Sequence, residues 1–260
     1  MQQFRVKVGE HQLQINLVGS ELHMLKENFQ FVPLVEYRDP DLFIHIEMDY
    51  GIPFVNYDVK ITRHQGSIQF SRADYVINVD VNFKEARLFA HNELALKHAL
   101  MNLYSSFIVH NNWGLLLHSS CVLEEGKAHI FSGHSGAGKS TAAKFSAPRE
   151  LLSDEATLLK ITPGSITVFT SPFRSELETS KLIEKSTLGS IQLLQQSLTN
   201  SRKRLKQSDA LLELVDKVFF WSHDKEGTKQ IFSLLNQLVK TVPVYNLHFQ
   251  KNNTFWELIS

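Results

Sequence analysis

The chain has 260 residues, 43% hydrophobic and 21% charged, enough apolar material for one or two domains with sizeable cores. Lys and Arg number 27 and Asp and Glu 27, so the formal net charge is zero, which argues against a dedicated nucleic-acid binder with its basic excess. Cys121 is the single cysteine, which excludes an intrachain disulfide, and no apolar run reaches signal-peptide or membrane-spanning length, so a cytoplasmic location without a membrane partner is expected.

Residues 1–91 read as a β-rich N-terminal region. Phe4, Val6 and Val8 alternate with polar residues, and after Gly9-Glu10 the alternation resumes at Leu13, Ile15 and Leu17. Further strands are expected over 42–48, 59–62, 67–70, 75–79 and 86–89, with turn signals at Asp39-Pro40-Asp41, Gly51-Ile52-Pro53 and Gln65-Gly66. No acids, histidines or nucleophiles stand there at a recognisable spacing. A structural or substrate-recognition sheet is the expected role.

From Asn92 to His110 the spacing of Leu96, Leu100, Leu103 and Phe107 predicts a helix with one apolar stripe. We draw a domain boundary ahead of it, with a second domain over 92–260. The runs 115–123 and 127–132, separated by Glu124-Glu125-Gly126, predict a hairpin rather than a βαβ crossover.

That hairpin ends in Gly133-His134-Ser135-Gly136-Ala137-Gly138-Lys139-Ser140, followed by Thr141 and helix formers. The stretch fits the G-x-x-x-x-G-K-[ST] phosphate loop at every fixed position, between a strand end and a helix start. Glycines let backbone N–H groups turn inward on one anion, and the helix start adds unpaired N–H groups. Lys139 would reach the β- and γ-phosphates, and the Ser140 hydroxyl would join a Mg²⁺ shell. The plain alternative is a glycine-rich turn that binds nothing.

Beyond Pro148, Leu151-Leu152-Ser153-Asp154-Glu155 reads as an apolar strand ending in two acids, where an acid beside the cradle can hold the metal or its water. Arg174 could meet phosphate and Glu176 could support metal, or both could belong to an exposed loop. The basic run 201–206 reads as a loop that docks ATP or an acidic partner, or simply as a solvated surface. Ser208 is expected to cap a helix over 209–221 with Leu212, Val215 and Phe219 on one face. A further helix over 226–240, a strand over 242–249 and Trp256–Ile259 close the chain.

These residues resemble the HPr kinase/phosphorylase family and its shorter HPr-kinase-like relatives. His118 stands 15 residues ahead of Gly133, as the family's strand histidine does. Gly133, Gly136, Gly138, Lys139 and Ser140 match its phosphate loop, and Asp154 and Glu155 match its paired acids. Val242-Pro243-Val244-Tyr245-Asn246-Leu247 is similar to the ends of the shorter relatives. The likeness covers about 115–260, tightly to 160. Two departures stand out: the second acid is Glu rather than Asp, and the family's glycine-rich signature with its metal-binding Glu is missing, leaving Glu176 as a substitute.

The resemblance implies an α/β (α+β) fold, a mixed β-sheet P-loop core of the HPr kinase and phosphoenolpyruvate carboxykinase type. It implies γ-phosphoryl transfer from ATP, with Mg²⁺, to a serine-type hydroxyl of a peptide, protein or small-molecule acceptor, with homo-oligomers left open. Catalysis would rest on His118, Lys139, Asp154 and Glu155, with either acid as base. Nucleotide would lie on Gly133 to Thr141, and metal on Ser140, Asp154 and Glu176. His118 would contact phosphate or hold the acids, unless it is a strand histidine bonded to backbone. A nucleotide-sensing module without transfer and a plain NTPase are the alternatives.

Overall fold

The computed structural model describes residues 2–19, 23–33, 39–177, 179, 183–222 and 224–259. It divides into two compact units: residues 1–111 with 220–227, and residues 112–219 with 228–260. The fold is of mixed α/β content, and each unit carries its own mixed sheet.

The first unit runs β1 (Gln2–Val8), β2 (His11–Val18), α1 (His23–Asn28), β3 (Gln30–Val32), β4 (Leu42–Met48), β5 (Lys60–His64), β6 (Ser67–Arg72), β7 (Tyr75–Asp80), β8 (Glu85–Ala90) and α2 (Glu93–His110). Its strands form one sheet in the order β3-β1-β2-β4-β8-β7-β6-β5. The alternation read from the sequence is the burial pattern found: Val6, Val8, Leu13, Ile15 and Leu17 are buried. The Asn92 side chain caps α2 by accepting from Ala95 N–H at 3.0 Å. Leu96, Leu100, Leu103 and Phe107 are buried, but so are Ser105, Ser106 and Asn102 on other faces. The helix is therefore enclosed beyond a single stripe, and its contacts with β7 and β8 place it in the first unit. The domain boundary drawn ahead of it at 91/92 falls after it, at 111/112, in the contact division.

The second unit contains β9 (Gly114–Glu124), β10 (Lys127–Ser132), α3 (Lys139–Phe145), β11 (Leu151–Ser153), β12 (Ala156–Thr162), β13 (Ser165–Phe169), β14 (Lys185–Gln196), β15 (Ser201–Arg204) and α4 (Gln207–Val215). α5 (Lys225–Thr241), which belongs to this unit from Thr228 on, β16 (Val244–Phe249) and a 3₁₀ turn (Thr254–Leu258) follow. The hairpin of β9 and β10 forms as expected, its turn made by Glu125 (φ 47°) and Gly126 (φ 76°), both left-handed. Pairing runs β10-β9-β12-β13-β14-β16-β15, and β10 also pairs with β14. β10, β14 and β16 are mutually parallel, so their C-terminal ends share one edge.

Three expectations change. The basic run is not a loop: Ser201–Arg204 pairs antiparallel with β16 at the end of the sheet path, where exposed Lys203 and Arg204 suit an edge strand. The helix begins after Lys206 rather than at a Ser208 cap, and it stops at Val215. Its buried residues are Ala210 and Leu214, while Leu212 is 68% exposed. Residues 217–219 instead pair with β9, through His118 N–H to Lys217 O at 2.7 Å and Phe219 N–H to Leu116 O at 2.8 Å.

A cluster of Val122, Phe131, Ala137, Ala142, Leu194, Phe249, Phe255 and Trp256 fills the space under the loop after β10. The 3₁₀ turn is tied to α3 by Trp256 Nε1–H donating to Ser146 Oγ at 3.0 Å. Among the described residues no helix is long and apolar enough to cross a membrane.

Candidate functional site

Strand register assembles the site. Ser132, the last residue of β10, stands opposite Ser119 of β9. The residue before it, His118, stands opposite Ala156, the first residue of β12. Asp154 and Glu155 occupy the break between β11 and β12, so the same register carries them to the end of β10, where the glycine loop begins. The expected single strand ending in two acids is thus a short strand, two acids and a new strand. Ligands commonly bind at such a row of C-terminal strand ends.

The loop's glycines are demanded by the backbone. Gly136 (φ 79°) and Gly138 (φ 104°) lie in the left-handed region, and a Cβ on Gly138 would sit 2.7 Å from Phe249 Cζ. Lys139 is 9% exposed, and its ammonium donates to the carbonyls of Gly133 and His134, both at 3.2 Å. Burial first, and then the Lys217 charge, lower its pKa. Ser120 Oγ–H donates to Lys139 O at 3.0 Å, fixing the start of α3 to β9.

His118, Ser135, Gly136, Gly138, Lys139, Ser140, Thr141, Asp154, Glu155, Ser175 and Gln196 line one cleft of about 350 Å³. The sequence-predicted histidine, lysine, serine and both acids therefore meet on the glycine loop. The rest of the loop, Gly133, His134 and Ala137, lines a second cleft of about 410 Å³ with Leu193, Gln195, Glu213, Lys217 and Asn246; Gly136 and Gln196 border both.

The two acids differ in state. Asp154 is 4% exposed, and its Oδ2 accepts the N–H groups of Glu176 and Leu177, both at 2.8 Å. Ser175 N–H adds bonds to Oδ1 at 3.0 Å and Oδ2 at 3.2 Å. Asp154 is thus the anchor of the 175–177 loop, with its acceptor sites largely committed to backbone. Glu155 is half-buried at the cleft. The His118 imidazole, on the same cleft, is pushed down to about 4, by burial first and then by Lys139 and Lys217. It is neutral at pH 7 and packs 5.3 Å from the Phe219 ring. Behind the acids runs a buried hydroxyl chain, Ser119 Oγ to Thr157 Oγ1 at 2.7 Å and Thr157 Oγ1 to Ser153 Oγ at 2.5 Å.

Glu176 does not join the acids through its side chain. That carboxylate is 76% exposed and pairs with Lys144 Nζ at 3.6 Å, while its N–H serves Asp154. Arg174 does not line the cleft. Sequence reasoning missed Lys217, Ser175 and Gln196. Lys217 carries no local motif and reaches the site only through the pairing of 217–219 with β9. The Ser140 hydroxyl and the acids are hard oxygen donors, a set that suits Mg²⁺ carried in with phosphate groups. Among the described residues no group of three or more His, Cys, Asp or Glu could hold a metal by itself.

The family model of the SynChlorMet cassette protein ScmC matches residues 89–260. Among solved structures, the Hpr(Ser) kinase/phosphatase from Coxiella burnetii is similar over 55% of this chain and 90% of that chain, at 8% identity and a TM-score of 0.32. That likeness is too slight to carry an argument about the site. No curated protein matches the chain.

Proposed function

The chain belongs to the SynChlorMet cassette protein ScmC family, and we propose that it is an ATP- and Mg²⁺-dependent kinase acting on a serine-type hydroxyl of a peptide, protein or small molecule. The supporting observation is the single cleft shared by the glycine loop, Lys139, Ser140, His118 and the two acids. The motif resemblance to HPr kinases supports the same reading, while the missing signature speaks against HPr itself as acceptor.

In this reading the loop amides and Lys139 bind the phosphates, Lys139 exchanging two carbonyls for phosphate oxygens. Glu155 accepts the acceptor's hydroxyl proton as its oxygen bonds to the γ-phosphorus. The bond from that phosphorus to the bridging oxygen breaks, and ADP leaves. Asp154 keeps the 175–177 loop in place, and His118 contributes a neutral hydrogen-bonding ring. Mg²⁺, held by Ser140 and a carboxylate of the pair, would neutralise charge on the β- and γ-oxygens. A cytoplasmic setting belongs to the proposal, as do no nucleic-acid or membrane partner and open homo-oligomerisation.

Incubation with γ-labelled ATP, Mg²⁺ and panels of serine peptides and small alcohols tests this. Label should pass to an acceptor, and Lys139→Ala should abolish it together with nucleotide binding. Phosphate release without any acceptor would instead mean an NTPase. Tight nucleotide binding with neither outcome would mean a sensor, a reading to which the committed state of Asp154 lends some support.

A further inference from the structure

The glycine loop is flanked by more positive charge than its own lysine. Lys217 follows α4, and its backbone is fixed to β9 by the bond from His118 N–H to its carbonyl at 2.7 Å. The adjacent Leu117 and Val218 bridge antiparallel, so the position is set by strand pairing and not by a free loop. The side chain is 11% exposed, and it lines the second cleft together with Gly133, His134, Gly136 and Ala137 of the phosphate loop. Its ammonium pairs with Asp216 Oδ2 at 2.7 Å, and that carboxylate is 67% exposed. Among the described residues this nearly buried cation beside the glycine loop is paired with an outward-facing acid, and an ion pair with so exposed a partner is weak. Glu213, one helical turn earlier, lines the same cleft and is exposed.

We propose that Lys217 is a second phosphate-binding cation, which leaves Asp216 and contacts the terminal phosphate of the nucleotide from the second cleft. The inference rests on the nucleotide-binding part of the kinase reading and not on transfer itself. Its effect on Lys139 and His118, whose pKa values it lowers, agrees with an ammonium directed at the loop. Negative charge between Lys139 and Lys217 would relieve the repulsion between them. The prediction is selectivity: a cation on the terminal phosphate favours ATP over ADP, whereas a structural lysine favours neither.

The experiment is calorimetric binding of MgATP and MgADP to the full chain, with thermal melting as a folding control. Lys217→Met should weaken ATP binding about tenfold more than ADP binding, the worth of one charge-assisted contact. Lys217→Arg should keep most of the ATP preference. Asp216→Asn, at an exposed position, should fold normally and raise that preference by releasing the ammonium. Equal loss for both nucleotides in Lys217→Met overturns the inference, as does an unchanged ratio in Asp216→Asn. The second result stands even where Lys217→Met fails to fold. A wild-type chain that binds neither nucleotide overturns this inference and the kinase reading together. Normal binding with no transfer to any acceptor overturns only the kinase reading.

Discussion

Asp154 and Glu155 are neighbours in sequence with opposite burdens. Removing the Asp154 carboxylate would leave the N–H groups of Ser175, Glu176 and Leu177 without their acceptor beside the cleft. Each orphaned donor costs about 1–3 kcal/mol when buried, less where water reaches it. Glu155 is half-buried and lines the cleft, and a glutamine there keeps its size and one acceptor oxygen. Asp154→Ala should therefore lower the melting temperature by several degrees, since about 1 kcal/mol moves a chain of this size by roughly 2–4 °C. Glu155→Gln should melt close to wild type and bind nucleotide, yet lose roughly 10²–10⁴-fold in transfer. Melting curves alongside a transfer assay check this, and equal melting of the two variants would remove the distinction. The sequence showed that two acids lie near the loop. It could not show their division of labour, because the amides that claim Asp154 come from a later loop whose path depends on tertiary packing.

The strand–loop–helix element was legible because its information is local. A turn of two left-handed residues, a glycine loop and a lysine at fixed spacing are all short-range features. Its tightness is set from outside. A Cβ on Gly133 would lie 2.7 Å from Ala137 Cβ and 3.4 Å from Leu194 O, so loop closure depends on that missing methyl. Gly133→Ala should cost about 1–3 kcal/mol by overpacking. Ala137→Gly should be mildly destabilising alone but should recover part of the loss when combined with it. A double-mutant cycle on thermal unfolding measures this, and strictly additive effects would mean the two positions do not press on each other. Other elements were not legible for the complementary reason. β14 contains Gly189, which reads as a breaker. In the fold it is a close approach, where a Cβ would meet His129 Cε1 at 3.1 Å and Lys127 Cβ at 3.2 Å. α4 stops at Val215, short of its apolar periodicity, because the next residues give their backbone groups to β9. Long-range strand pairing outweighed the local pattern there, and it also delivered Lys217.

Across the whole molecule, zero net charge hides a set of histidines that the fold keeps neutral. His98 in the first unit and His118 and His129 in the second are each pushed down to about 4, burial being the largest cause for all three. Nearby cations add to it: Arg72 and Lys97 at His98, Lys139 and Lys217 at His118, and Arg202 at His129. In the unfolded chain the same rings titrate near 6.5. Between those limits the unfolded state binds protons that the folded state refuses, so unfolding takes up protons and stability must fall as pH falls. Above about pH 6.5 both states are neutral and the term is constant. Stability should therefore be flat from this source at pH 7–8 and should decline from about 6.5 toward 4, with up to about three protons taken up on unfolding near the middle of that window. Denaturant unfolding at closely spaced pH values gives the proton number from the slope. His129→Gln should reduce that number by about one while keeping a hydrogen-bonding group opposite Ser190 Oγ, which now lies 2.8 Å from His129 Nδ1. If the two units unfold in separate steps, the step belonging to the second should carry the steeper dependence, since two of the three rings lie there. A slope near zero through the window would mean that these rings protonate in place. Below about pH 6.5 His118 would then meet phosphate as a cation, and its part in the site there would be charge neutralisation.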